Sequence, residues 1–328
     1  MKVLLTGVTG FLGGRLAGRL AAAGHQVRGL ARRPEAWAER PEGADVVRGD
    51  VTDAASLRDA VEGCETVIHA AALVRMWVRD RREFDRVNVQ GFGNVVEATR
   101  QAGARLIYVS SFIALGPTDG AILDEDSPRS TMEFHNDYER TKWVADQMAR
   151  HLGTTGFPIV RLYPGVVFGP GALTEGNHVV RALIDHARGR LPGILGGGEA
   201  RQCLAYVDDV TDGIARALER AGNGAAYVLG GENVTVRGMF ETFESLTGIA
   251  APRRRIPFGV ASLIGRLQRW RAAILGIEPQ LTDEVVGVYR HEWAYSSDRA
   301  VRELGYRVTP FAEALEQTVA WMREEGHL

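Results

Sequence analysis

Lysine is almost absent from this chain. Of 39 basic residues among 328, only Lys2 and Lys142 are lysines. With alanine and glycine abundant, that bias reads as codon pressure, so a lysine that persists against it is more informative than usual. Cysteine is as scarce. Cys64 and Cys203 lie far apart and match neither a disulfide framework nor a metal-ligand spacing, so no metal is expected and a reducing, cytoplasmic setting fits. Net charge is missing too: a formal value of −2 gives no electrostatic ground for nucleic acid or membrane as a partner. No apolar run is long enough to insert across a bilayer, because the most apolar late stretch, Pro257 to Ile277, is broken by Arg266, Arg269 and Arg271. That stretch reads first as an amphipathic helix packed on the protein, and second as a membrane-surface or substrate-entrance helix. No signal peptide is expected, since Met1 to Gly7 run directly into a strand and a Gly-rich turn.

What is present is ordinary in bulk, with 45% hydrophobic and 24% charged residues. The length suits one large α/β domain and a smaller lobe. Short β-rich runs alternate with helical segments in the first half. Strands are predicted at Lys2–Thr6, Gln26–Leu30, Asp45–Arg48, Thr66–His69, Arg105–Ser110 and Pro158–Leu162. Helices are predicted at Phe11–Ala23, Ala54–Val61, Arg82–Ala102 and Asn136–His151, with later ones near His178–Gly189 and Asp208–Arg220 and a last sheet strand at Ala226–Leu229. Right-handed crossovers make this an α/β fold, a doubly wound parallel Rossmann sheet with a ligand crevice at the strands' C-terminal ends. Residues 1–168 and 203–231 would form the dinucleotide domain, and 169–202 with 232–328 a discontinuous substrate lobe.

Between the first strand and first helix stand Thr6, Gly7, Thr9, Gly10, Phe11, Leu12 and Gly13. Glycines at 7, 10 and 13 permit a tight turn, close approach to a pyrophosphate, and close helix–sheet packing, while the helix N-terminus offers N–H groups to the anion. The second strand ends in Ala31-Arg32-Arg33 rather than in an acidic residue. Arg32, with Arg33 beside it, suits a 2′-phosphate, so NADP is preferred and NAD remains compatible. Asp50 and Val51, after the third strand, are placed to hold the adenine edge.

Tyr138 and Lys142 are four residues apart on a predicted helix and share one face. Chance would give a Tyr-x-x-x-Lys in only about one such sequence in twenty. A phenol of ordinary pKa is a poor base at neutral pH, but a neighbouring ammonium and a positive oxidised nicotinamide favour its phenolate. Ser111, rather than Ser110, is chosen as the hydroxyl that holds a substrate oxygen near Tyr138. Ala70, Ala71 and Ala72, after His69, supply small side chains beside the cofactor; His69 itself reads as structural. Asn88 supports either the sheet or a proton-relay water near the cofactor.

These segments resemble the extended, or atypical, short-chain dehydrogenase/reductase superfamily. The resemblance rests on Thr6 to Gly13, Gly49-Asp50-Val51-Thr52-Asp53, His69-Ala70-Ala71, Tyr108-Val109-Ser110-Ser111, Tyr138 to Lys142, Tyr163 to Gly171 and Tyr206 to Val210, and covers nearly the whole chain. Ser111 to Gly116 and Gly189 to Gly193 are similar to the dihydroflavonol-reductase-like branch and its farnesol-dehydrogenase-type members. The resemblance implies Ser111, Tyr138 and Lys142 as the catalytic set. It adds Tyr163, Gly165 and Val166 to the cofactor-binding residues, and implies a homodimer. It also tempers the cofactor reading, because the farnesol-dehydrogenase type is associated with NAD. The function implied is interconversion of a hydrophobic alcohol with its ketone or aldehyde; the alternative is a sugar-nucleotide epimerase or dehydratase. Such epimerases commonly place an arginine where this chain has Gln202, with Arg201 adjacent. Candidate pocket residues are Leu73, Val74, Met76 and Trp77, then Phe112 and Ile113, and finally Phe134, His135 and Tyr163.

Overall fold

The computed structural model describes residues 1–75 and 77–328, so Met76, one of the candidate pocket residues, lies outside the described residues. Alternating segments open the chain: β1 (Lys2–Thr6), α1 (Phe11–Ala22), β2 (Gln26–Ala31), β3 (Asp45–Arg48), α2 (Ala54–Val61) and β4 (Thr66–His69). A short turn α3 (Arg82–Phe84) opens a π-helical segment, Asp85–Gln90, that continues as α4 (Gly91–Gln101). Next come β5 (Arg105–Val109), α5 (Asp137–Thr154), β6 (Ile159–Pro164) and β7 (Val166–Phe168). The later chain holds α6 (His178–Ala187), β8 (Ile194–Leu195), β9 (Arg201–Tyr206), α7 (Val207–Arg220), β10 (Ala226–Leu229), β11 (Glu232–Thr235) and α8 (Val236–Thr247). It ends with β12 (Arg255–Ile256), α9 (Phe258–Leu275), α10 (Asp283–Tyr289), α11 (Asp298–Leu304) and α12 (Phe311–Glu324).

Seven strands form one sheet in the order β10-β6-β5-β4-β1-β2-β3, all pairs parallel. Helices cover both faces, which is why strands such as β1 and β4 read as continuous apolar runs rather than alternating ones. Val3, Leu4 and Leu5 are buried together with Val67 and Ile68 on the neighbouring strand. Each such side chain withdrawn from water contributes roughly 1.5–3 kcal/mol. The chain runs outward from β1 to β3 and then returns to β4 on the other side, so the strand order reverses between β1 and β4. A crevice opens at that reversal, beyond the strands' C-terminal ends.

Local chemistry sets the ends of the elements. The Asp53 carboxylate accepts from the Ala55 N–H and starts α2, and the Asn136 side chain accepts from the Glu139 N–H at 2.7 Å and starts α5. Two smaller sheets, β11-β9-β7 and β12-β8, lie apart from the main one. β7 and most of β9 fall within the span expected for the dinucleotide domain, yet they pair with each other and with β11.

Candidate active site

Gly7 sits at φ +83°, a left-handed conformation, and a Cβ there would stand 2.9 Å from the Ala70 and Ala71 backbone. A Cβ on Gly13 would fall 2.1 Å from the Gly7 carbonyl oxygen. Neither position admits another residue, so the turn is drawn tight against the start of α1. Gly10 is the N-cap of α1, with no side-chain hydrogen bond, and no acidic residue stands in the first turn. The first N–H groups are thus left to an external anion, the arrangement a pyrophosphate requires. Thr9 is exposed at the rim, Phe11 is buried and Leu12 partly so. The Thr6 hydroxyl ties the neighbouring strand ends together: it bonds His69 Nδ1 at 2.9 Å and accepts from the Ala71 N–H at 3.1 Å. Burial, aided by the charge of Lys142, pushes His69 down to about 3, so it stays neutral.

Ala70, Ala71 and Ala72 line the loop after β4 as partly buried residues. Asp50 turns its carboxylate onto the Thr52 N–H (2.8 Å) and hydroxyl, and Val51 is buried against Gly91. Arg32 and Arg33 are exposed at the end of β2, behind the buried Ala31, and neither forms an ion pair among the described residues. Gly165 sits where a Cβ would meet the Cys203 carbonyl at 2.4 Å, and Val166 is buried. Tyr163 turns elsewhere. Its ring is fully buried and its hydroxyl donates to Asp146 at 2.8 Å, so its side chain belongs to the interior and not to a pocket wall.

Lys142 is 3% exposed, and its ammonium donates to the Val109 carbonyl at 3.2 Å, two residues before Ser111. Burial lowers its pKa to about 8, against the opposing charge of Asp146. Tyr138 lies one turn before it on the same helix and is partly exposed towards the crevice. Burial of the hydroxyl pushes the phenol up to about 12, and hydrogen bonding with Ser111 pulls it the other way. Ser111 caps the short turn after β5 and is the hydroxyl that reaches Tyr138; the influence of Ser110 falls on Tyr108. Ser111 and Tyr138 therefore interact beyond the end of β5, and Lys142 lies one turn further along α5 with its ammonium on the Val109 carbonyl. Helix periodicity supplies two of them and a strand end the third.

Asn88 makes no open contact. Its carbonyl accepts from the Leu73 N–H at 2.8 Å, while its amide nitrogen donates to the Thr141 hydroxyl (3.1 Å) and to the Leu73 carbonyl (3.3 Å). It thereby pins the loop that carries Val74 and Trp77 to α5. The continuous helix predicted over Arg82–Ala102 is interrupted here by the π-helical segment, whose wider turn brings Asn88 inward.

Sequence reasoning missed a buried ion cluster beside Tyr138. Glu139 is wholly buried, ion-paired with Arg129, and bonded to the His135 ring at 2.9 Å and to the His135 N–H at 2.8 Å. Burial works to raise the Glu139 carboxyl, but the bonds from His135 and Arg129 outweigh it and hold the group below its ordinary range. The signal was available: Asn136-x-x-Glu139 is a capping-box spacing. The His135 ring also lies 4.5 Å from His291, tilted at 56°, and meets Trp293 edge-on at 6.2 Å. Phe112 meets the same Trp293 at 5.7 Å and Tyr295 at 6.1 Å. Phe134 instead packs on Trp143 and under the Arg129 guanidinium. A cavity of about 230 Å³ behind α5, lined by Arg129, Trp143, Asp146 and Arg150, includes none of Ser111, Tyr138 and Lys142.

With this geometry established, the comparisons are specific. A profile of the NAD dependent epimerase/dehydratase family matches residues 3–230. The chain belongs to that family. It is 30% identical to a putative dihydroflavonol 4-reductase of Synechocystis sp., over 99% of this chain and 95% of that protein. It is 32% identical to the 4-hydroxy-2-methyl-3-oxo-4-farnesyl-3,4-dihydroquinoline-1-oxide ketoreductase of Stigmatella aurantiaca, covering 94% and 93%. The crystal structure of gox2253 superposes with a TM-score of 0.83 at 31% identity, covering 99% of each chain. The chain is thus an enzyme of a NAD-dependent oxidoreductase/epimerase family, similar to proteins named as reductases, with the Rossmann sheet predicted for it.

Proposed function

We propose that this enzyme interconverts a hydrophobic alcohol and its ketone or aldehyde, with Ser111, Tyr138 and Lys142 as the reacting set and NADP as the preferred cofactor. The observation that carries the reading is the buried Lys142 ammonium held on the Val109 carbonyl, two residues before the Ser111 that interacts with Tyr138; the tight Gly7–Gly13 turn supports it. The nicotinamide ring of the bound cofactor supplies or accepts the hydride. Gly7, Gly13 and the free N–H groups of α1 would hold its pyrophosphate, and Arg32 would meet a 2′-phosphate. Ser111 donates a hydrogen bond to the substrate oxygen and fixes it beside the phenol. Tyr138, pushed up to about 12, keeps its proton at neutral pH and gives it to that oxygen as the carbonyl is reduced; in oxidation it takes the proton back. Lys142, buried on the Val109 carbonyl, stabilises the negative charge left on the phenol oxygen.

Val74 and Trp77, partly exposed on the loop that Asn88 holds to α5, support an apolar substrate. The farnesyl group in the Stigmatella relative's name supports the same class. The epimerase alternative draws less support. Arg201 is engaged with Glu292 at 2.8 and 3.1 Å, and Gln202 is buried, which leaves no free guanidinium there for a sugar-nucleotide diphosphate. A cytoplasmic homodimer completes the proposal and is read by light scattering. The test is a cofactor-by-substrate screen of the purified enzyme, following nicotinamide absorbance with farnesol-like alcohols, aromatic ketones and sugar nucleotides. Turnover of a hydrophobic pair, faster with NADP than with NAD, is expected. Sugar interconversion on a retained cofactor, with no net redox change, would overturn the reading.

A further inference from the structure

α9 packs the wrong way round for a buried amphipathic helix. Its inward residues are small: Ala261, Gly265 and Ala272 are buried, and a Cβ on Gly265 would stand 2.4 Å from the Asp283 backbone nitrogen. Its large apolar side chains face out. Val260, Leu263, Ile264, Leu267, Trp270 and Ile274 recur at three- and four-residue intervals on one side and are 41–68% exposed, Trp270 the most. An apolar face this continuous is a recognition surface. The charges around it say what it recognises. Residues 253–277 hold six arginines and no aspartate or glutamate, a concentration that the overall −2 conceals. Arg269 turns inward, onto Asp283 (3.0 Å) and Glu284 (2.9 Å), and the exposed Arg266 also approaches Asp283, at 3.7 Å. Arg253, Arg254 and Arg255 are exposed at the foot of the helix, and Arg266 and Arg271 along it.

We propose that α9 docks this enzyme onto an anionic phospholipid surface, lying in the headgroup plane with its leucines and Trp270 sunk shallowly and its arginines on lipid phosphates. Apolar side chains with a tryptophan, rimmed by arginine, are the composition of helices that rest in the interface. Each arginine near an anionic surface adds attraction. The arginines also argue against a second copy as the occupant, since a two-fold contact would set one strip of five exposed arginines on another. Docking is not spanning: no helix among the described residues is long and apolar enough to cross a membrane. The face also lies close to the site. α10 packs on α9, Gly287 of α10 lies against the His135 ring, and Arg81 joins Glu284 of α10 to Asp137 at the start of α5. A lipophilic substrate leaving the bilayer therefore meets the pocket wall one helix away; that last step rests on the proposed function, whereas the docking itself does not.

Flotation of the full-length enzyme with vesicles tests it without any turnover. Vesicles of phosphatidylcholine mixed with phosphatidylglycerol should carry at least about tenfold more protein than phosphatidylcholine alone, with the excess lost in high salt. The exposed-face variant Leu263→Ser/Leu267→Ser/Trp270→Ser should lose that binding with unchanged circular dichroism and Tm. Arg253→Gln/Arg254→Gln/Arg255→Gln should lose the preference for phosphatidylglycerol. Failure of the native enzyme to float with either vesicle overturns the proposal, as does a serine variant that floats like the native chain. So does a native oligomer that the serine variant splits by light scattering, which would assign the face to a second copy.

Discussion

Lys142 shows what a buried amine, proposed for the reaction, costs the fold. It is a charged amine with 3% exposure, bonded to a single carbonyl, and burial lowers its pKa from 10.5 to about 8. The sign of the linkage follows. Below pH 8 both states hold the proton and the folded state bears the full penalty, on the order of 3 kcal/mol by the size of the shift. Between about 8 and 10.5 the unfolded lysine still holds a proton that the folded one has lost, so stability from this group rises with pH. Lys142→Met keeps the length and removes the charge. It should raise the Tm by roughly 2–4 °C for each kcal/mol recovered, while turnover collapses. A lower Tm in calorimetry, or retained turnover, would contradict this reading of the residue. Its scarcity made Lys142 visible in the sequence. Glu139 was less visible because it hides inside the same motif as an ordinary helix-surface type, and its burial depends on Arg129, ten residues away.

At the scale of elements, most strand and helix positions were legible, because buried parallel strands and amphipathic helices have distinct periods. Two helices were read incompletely. The π-helical segment at Asp85–Gln90 leaves no mark in apolar spacing, since one wider turn shifts only what lies beyond it. Its purpose is chemical: it aims Asn88 at Leu73 and Thr141. Asn88→Ala should leave the Leu73 N–H unpaired, cost about 1–3 kcal/mol, and raise KM by loosening the loop before Trp77. A variant with native Tm and native KM would remove Asn88 from the positioning role. α9 was expected as an amphipathic helix packed on the protein, without its packed face being assigned, and the face that packs is the small-residue one. Ala261, Gly265 and Ala272 admit a closer backbone approach than the leucine stripe does, so α10 packs on the small side.

The whole molecule joins parts that no local pattern connects. The order β10-β6-β5-β4-β1-β2-β3 puts the Gly7 turn, Ala70–Ala72, Ser111 and the N-terminal half of α5 around one crevice. Strand–helix alternation and the right-handed crossover rule made that much readable in advance. The core packing behind Phe112 was not readable, because the buried Trp293 reaches Phe112 across some 180 residues of chain and nothing in either segment names the other. The central claim is that proton exchange at the substrate oxygen is performed by Tyr138, and one variant addresses it most directly. In Tyr138→Phe, kcat/KM with the best alcohol–carbonyl pair and the dissociation constant for the nicotinamide cofactor should be measured on the same preparation. The account predicts a loss of turnover of roughly 10²–10⁴-fold, with cofactor affinity unchanged. Turnover within a few fold of the native enzyme would contradict it.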